Sequence, residues 1–205
     1  MPYFEATRVA ELAQAAKQEL RKRMRALRAA YPASALQLRS RNIVERSLAL
    51  PQFANAPSVA LFFPLLERQE VDLRALDGEA RRQGKRVYYP FLEQRGDVSM
   101  TGLRLTSKLE DLAERGQRFL EPPADAPVAT RGDVELMFVP ALAVAPSGHR
   151  LGYGMGFYDA LLPDFRPPAL AVAVAYDFQL LVELPSLGHD VPCDAVVTDS
   201  RSLLR

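Results

Sequence analysis

Residues 138–162, FVPALAVAPSGHRLGYGMGFYDALL, constrain the fold more than any other stretch of this chain. An apolar run ends at Pro140. A Pro146-Ser147-Gly148 turn follows, then Arg150, then glycines at 152, 154 and 156, and then a segment opening on Phe157, Tyr158 and Asp159. A buried strand that leads through a glycine-rich loop into a helix is a building unit of α/β architecture. The loop is expected at the carboxyl end of its strand, where ligands bind in open α/β sheets.

The rest of the chain alternates in the same way. Residues 8–30 predict a long amphipathic helix, with Leu20, Met24, Leu27 and Tyr31 at i, i+4, i+7 and i+11 as its buried stripe. Pro32 ends it. A second helix is expected over roughly 34–49, ended by Pro51. The runs SVALFF, KRVYYPFL, VELMFVP, ALAVAVAY and DAVVTDS read as strands, and VSMTGLRL as a half-exposed one. LAVAP continues VELMFVP or pairs with it. VDLRALDGEARRQG reads as a helix stopped by Gly84, and residues 107–118 as a short helix. The Pro-rich stretches 121–127 and 163–168 are expected to be loops, not linkers, because strands resume beyond each. Together these predict an α/β fold: a single domain over residues 1–205, with a mostly parallel sheet flanked by helices and an N-terminal helical pair.

Composition narrows the function classes. A net charge of +1 lacks the basic excess of a general nucleic-acid binder. No apolar run approaches the roughly 18 residues of a membrane span, and MPYFEATRVAELAQ carries an early acid and no signal-type apolar core. The single Cys193 excludes an internal disulfide and a cysteine metal cluster, and the two histidines, His149 and His189, cannot build a His-rich zinc site. A reduced, cytoplasmic setting is expected, with no nucleic-acid or membrane partner.

Glycines at this density let a backbone approach a ligand closely and aim several N–H groups into one hollow, as phosphate cradles do. Arg150 adds a planar cationic fork suited to phosphate oxygens. Asp159 adds a hard oxygen ligand of the kind Mg²⁺ takes when a nucleotide already holds it. Phe157 stands where a dinucleotide-binding fingerprint needs glycine, and no P-loop motif occurs. Lys17 and Arg21, four residues apart, share a helix flank, although Lys22, Arg23, Arg25 and Arg28 crowd the same helix and a solvated face is the plainer reading of these residues alone. Glu70 follows the strand at 57–63 and either faces a pocket or starts the next helix; Glu67 competes with it. Tyr153, Phe157 and Tyr158 offer flat surfaces for stacking or for ordinary packing. Asp190 and Asp194 lie together in HDVPCD.

The string HRLGYGMGFYD closely resembles the R-L-G-x-G-x-G-[YF]-Y-D signature of the 5-formyltetrahydrofolate cyclo-ligase family. The resemblance extends to KQELR at 17–21, to ALFFPLLERQEVDLRAL, to GKRVYYPFL, to the L-E-P-P at 120–123 and to GHDVPCDAVVTDS. It implies ATP- and Mg²⁺-dependent cyclisation of 5-formyltetrahydrofolate, with or without a polyglutamate tail, to 5,10-methenyltetrahydrofolate, with release of ADP and phosphate. It implies that Lys17, Arg21, Arg150, Leu151, Gly152, Tyr153, Gly154, Met155, Gly156, Phe157 and Tyr158 meet ATP, with Arg150, Tyr158 and Lys17 closest to the chemistry. Leu65, Glu70 and the stretch Tyr153, Gly154, Met155, Gly156, Phe157 and Tyr158 would meet the folate, and Asp159 and Asp190 the metal. Arg25 and Arg28 have no place in the motif and are expected at the surface. The chain departs from the family pattern at Met155, where Gly, Lys or Arg is common, at Phe157, where Tyr is common, and at Ala160, where Arg or Lys is frequent. These changes leave the backbone cradle intact and bear on how tightly substrate is held. Two other readings are a non-catalytic nucleotide- or RNA-associated protein on the same fold, and a sugar-phosphate isomerase or acyl-CoA transferase of similar architecture that would not depend on ATP.

Overall fold

The computed structural model describes residues 2–95, 98–115 and 119–205. The N-terminal helical pair is present as α1 (Pro2–Ala29) and α2 (Ala33–Leu48). Pro51 does more than stop α2. It opens a short α3 (Pro51–Asn55), in the first-turn position where a missing N–H costs nothing. Then come β1 (Ser58–Ala60), α4 (Arg74–Arg82), the long hairpin strands β2 (Arg86–Arg95) and β3 (Val98–Leu105), and the short β4 (Ala113–Glu114) and β5 (Leu120–Glu121). After β6 (Leu136–Pro140) the chain makes β7 (Ala143–Val144), β8 (Arg150–Leu151), α5 (Phe157–Phe165), β9 (Leu170–Val174), β10 (Ala195–Val197) and β11 (Ser202–Leu204).

Among the described residues, seven strands form one sheet in the order β11-β10-β9-β6-β1-β2-β3. The neighbours from β10 through β9, β6 and β1 to β2 pair in parallel, and the edge strands β11 and β3 are antiparallel. The central strands are apolar on both faces because helices cover both. The period-two alternation divides their side chains cleanly. Val59, Phe138, Val172 and Val174 point toward Ile43, Phe53 and Leu76 of α2, α3 and α4. Ala60, Met137, Val139, Ala171 and Ala173 point toward Leu161, Leu162 and Phe165 of α5. A third cluster forms where Met24 of α1 meets Leu142, Ala143, Leu151 and Leu184.

Four local expectations are corrected. Residues 107–118 do not make a helix where described: a single 3-10 turn at Leu109–Asp111 runs into β4, and residues 116–118 lie outside the described residues. LAVAP neither extends β6 nor pairs with it, since β7 turns back on β8 around the Pro146-Ser147-Gly148 turn. The stretch 163–168 is not all loop, because α5 continues through Pro163 to Phe165. The buried stripe of α1 is rotated from the apolar one: Leu27 is 36% exposed, whereas Lys17 and Arg28 are buried beside Met24. The inner face of α1 roofs an open cleft of mixed lining, and Lys17, Arg21 and Arg28 face into it.

Candidate active site

The cleft has a volume of about 680 Å³ and opens at the carboxyl ends of β1 and β6. Phe62 and Phe63 just beyond β1 and Pro140 at the end of β6 form part of its wall. The inner face of α1, the 65–70 turn and the loop from Arg150 to Asp159 complete it. The sequence builds this by reversing the chain twice after β6. The β7–β8 hairpin carries it out and back, and the glycines then lead into α5, whose cap Gly156 is in the left-handed region at φ 66°.

Gly154 has φ +99°, and a Cβ there would stand 3.2 Å from the Arg21 guanidinium carbon. The missing side chain lets Arg21 lie flat on the loop, where its Nε donates to the Gly152 carbonyl at 2.9 Å. Burial lowers the Arg21 pKa from its ordinary value; Asp190 opposes the shift and Arg25 reinforces it.

Arg150 is 4% exposed in its side chain. Its Nη1 donates to the Val191 carbonyl at 2.6 Å and its Nη2 to Asp159 Oδ1 at 2.9 Å. The Val191 N–H also donates to Asp159 Oδ1, at 3.2 Å, while Oδ2 accepts no hydrogen bond from the described residues. Asp159 therefore does not stand as an isolated charge; Arg150 already compensates it. Lys17 reaches both oxygens of Asp190, at 2.7 and 2.5 Å, and the Leu187 N–H donates to Asp190 Oδ2. Burial alone would raise the Asp190 pKa, but Lys17, the Leu187 N–H and His189 more than offset it, and the net shift is downward.

At the other end, Glu70 is buried and its Oε2 accepts from the Leu65 N–H at 2.9 Å. Burial raises its pKa despite the pull of Leu65, Tyr153, Arg28 and Arg68. Glu67 lies in the same turn but is largely exposed and meets Arg68 at a long 3.7 Å. Tyr158 is pushed up by burial and by Glu70, and its ring centroid lies 6.0 Å from the Arg150 guanidinium. Phe157 meets Phe119 and Tyr158 edge to face, at centroid distances of 5.7 and 5.1 Å. Met155 is exposed at the rim.

The residues that the family resemblance assigns to the site line this one cleft: Lys17, Arg21, Leu65, Glu70, Arg150 to Asp159, and Asp190. Asp194 does not; it is held by Arg166 and the Ala171 N–H, as a structural acid would be. Arg28, expected at the surface, is 3% exposed and lines the cleft, donating to the Tyr153 hydroxyl at 2.6 Å. Arg68, whose guanidinium lies 5.0 Å from the Tyr153 ring centroid, and Phe119 are further cleft residues that the sequence reading passed over. Among the described residues, no three His, Cys, Asp or Glu side chains converge as a metal cluster, and no helix is long and apolar enough to cross a membrane.

Comparison with known proteins agrees with this architecture. The model of the 5-formyltetrahydrofolate cyclo-ligase family matches residues 13–199. The 5-formyltetrahydrofolate cyclo-ligase of Escherichia coli K12 is 32% identical over 158 residues, covering 76% of this chain and 85% of that protein. The Mycolicibacterium smegmatis 5-formyltetrahydrofolate cyclo-ligase is 43% identical over 83 residues, a match that spans 40% of this chain and 43% of that relative's length. The solved 5,10-methenyltetrahydrofolate synthetase of Aquifex aeolicus superposes with a TM-score of 0.78 at 30% identity, over 92% of each chain. With the family's profile running through nearly the whole sheet and through every wall of the cleft, the chain belongs to the 5-formyltetrahydrofolate cyclo-ligase family.

Proposed function

We propose that this protein closes the ring of 5-formyltetrahydrofolate to 5,10-methenyltetrahydrofolate, using ATP with Mg²⁺ and releasing ADP and phosphate. The observation that carries the reading is the joining, in one cleft, of a cationic glycine-walled end with an aromatic end holding a buried carboxylate. The first suits a triphosphate and the second a flat heterocycle bearing N–H groups.

The chemistry fits those two ends. A formamide oxygen leaves poorly. Transfer of the γ-phosphoryl group to it makes a phosphate leaving group. N10 of the folate then attacks the formyl carbon, the carbon–oxygen bond breaks with phosphate taking the electron pair, and N10 gives up its proton. Such a site works mainly by positioning the reactants and offsetting charge. Lys17, Arg21, Arg150 and the backbone of residues 152–156 would orient the triphosphate. Leu65, Glu70 and Tyr158 would hold the folate. No covalent protein nucleophile is needed, and buried Cys193, its thiol pKa raised by burial, is poorly suited to be one.

Mg²⁺ fits the donor set only as an ion carried largely by phosphates, its usual mode with nucleotides. The open Oδ2 of Asp159 is the protein oxygen best suited to it. Asp190 has both oxygens engaged by Lys17, which favours a role in holding that lysine rather than in binding metal directly. When bound, the ion would offset the triphosphate charge.

The test is direct. Protein mixed with 5-formyltetrahydrofolate and Mg-ATP should produce the ultraviolet absorbance of the methenyl product, with one ADP per turnover. Omission of ATP, or addition of EDTA, should stop it. Turnover without nucleotide would refute the assignment.

A further inference from the structure

Arg28 differs from its neighbours in the cleft. Lys17 and Arg150 are each neutralised by a carboxylate, Asp190 and Asp159. Arg28 is buried, yet no described carboxylate forms an ion pair with it, and the hydrogen bond it makes runs to the Tyr153 hydroxyl. A guanidinium carries five N–H donors in a fixed plane. Most of these donors make no bond to the described residues, and no Arg28 nitrogen is a buried atom without a partner, so the free donors are open to the cleft. Arg28 lines the open cleft, so a ligand can reach it.

Its surroundings indicate which ligand atoms. The Tyr153 hydroxyl that Arg28 contacts also interacts with Glu70, so Arg28, Tyr153 and Glu70 form a row at the aromatic end. One Glu70 oxygen is engaged by the Leu65 N–H. The row therefore presents a carboxylate acceptor and a guanidinium donor to the same part of the cleft. A pterin has the matching edge: a ring carbonyl next to a ring N–H and an exocyclic amine.

We propose that Arg28 is a specificity-determining residue that donates to the 4-oxo oxygen of the pterin, while Glu70 accepts from the adjacent N–H groups. This rests on the folate reading above. A 4-amino pterin would place a donor against the Arg28 donor, and a site built to hydrogen-bond one edge rejects the edge that cannot reciprocate. Arg28 thereby distinguishes 4-oxo from 4-amino folates.

Calorimetric binding of 5-formyltetrahydrofolate and of its 4-amino counterpart tests this without relying on turnover. The wild-type protein should prefer the 4-oxo form by about tenfold or more. Arg28→Met should weaken the 4-oxo ligand by about 10- to 100-fold, shift the 4-amino ligand by less than about threefold, and leave ATP binding within about twofold. Arg28→Lys, which keeps the charge and a donor, should fold normally and restore part of the preference. Equal weakening of both folates, or a preference unchanged in both variants, would overturn the role of Arg28. A wild-type protein that binds neither folate would instead refute the folate reading itself.

Discussion

Lys17 Nζ lies 2.7 and 2.5 Å from the two carboxylate oxygens of Asp190, a residue 173 positions further along the chain. The pair closes α1 onto the segment before β10. Two more polar ties fasten the same helix to the glycine loop, from Arg21 to the Gly152 carbonyl and from Arg28 to the Tyr153 hydroxyl. Met24 adds an apolar wedge between them. Helix α1 is thus a roof held largely by charge and hydrogen bonds, and the groups that hold it are those facing the cleft.

The Lys17–Asp190 pair should behave as a buried ion pair. Lys17→Met strands a carboxylate and Asp190→Asn strands an ammonium. Each should destabilise by about 1–3 kcal/mol, below the full buried-pair penalty because Asp190 keeps some solvent contact. The double variant should lose less than the sum of the two. The Asp190 pKa is depressed, so the pair's contribution is present above the ordinary aspartate range, about 3.9, and is lost as pH falls through the lower folded value. Chemical unfolding of the three variants at pH 7 and pH 3 checks this; additive losses would mean the two residues act independently.

Glu70→Gln should stabilise the fold while impairing function. Burial raises the Glu70 pKa, so the ionised form is disfavoured in the native state. A raised carboxylate lowers stability progressively as pH climbs above its unfolded value of about 4.3. Glutamine keeps an acceptor for the Leu65 N–H and removes the charge. The melting temperature at pH 7 should rise by a few degrees, the gain should fade toward pH 4, and folate binding should weaken. A melting temperature that drops at pH 7 would show that the charge is better compensated than its burial implies.

Much of this was legible in the chain. The runs around Val59, Phe138 and Val172 are apolar on both faces, and that continuity marks buried parallel strands. The string from Arg150 to Asp159 marks the loop. Arg28 was missed because amphipathic reasoning sends charged residues outward and took Leu20, Met24, Leu27 and Tyr31 as the inner stripe. The spacing i, i+4, i+7, i+11 counted from Lys17 instead gives Lys17, Arg21, Met24 and Arg28, the stripe that faces the cleft. Given Lys17 and Arg21 as site candidates, that count would have reached Arg28. The ion pairs Lys17–Asp190 and Arg150–Asp159 join distant segments, and no local pattern encodes which acid meets which base.

Asp159→Asn isolates charge from shape. Asparagine keeps an oxygen to accept from Arg150 and the Val191 N–H, so the fold should survive with a melting temperature within a few degrees of wild type. The lost charge should appear in the metal response. The Mg²⁺ concentration for half-maximal turnover should rise by about tenfold, and turnover at saturation should fall. An unchanged Mg²⁺ titration would leave Asp159 as only the partner of Arg150.

Gly154→Ala and Gly152→Ala should differ sharply although they are two residues apart. Gly154 sits at φ +99°, a region L side chains rarely adopt, and a Cβ there would meet the Arg21 guanidinium carbon at 3.2 Å and Nε at 3.3 Å. Alanine must therefore strain the loop by about 1–3 kcal/mol or displace Arg21 from the Gly152 carbonyl. Either outcome moves a cation away from where a triphosphate would lie. Gly152 has no positive φ, and a Cβ there meets nothing within 4 Å. Gly154→Ala should raise the KM for ATP by about tenfold or more, with a smaller change for the folate, and Gly152→Ala should stay within about threefold of wild type for both. Steady-state kinetics with each substrate varied in turn would decide it. Equal effects from the two alanines would mean that general loop flexibility, and not the seating of Arg21 against Gly154, is what the glycines supply.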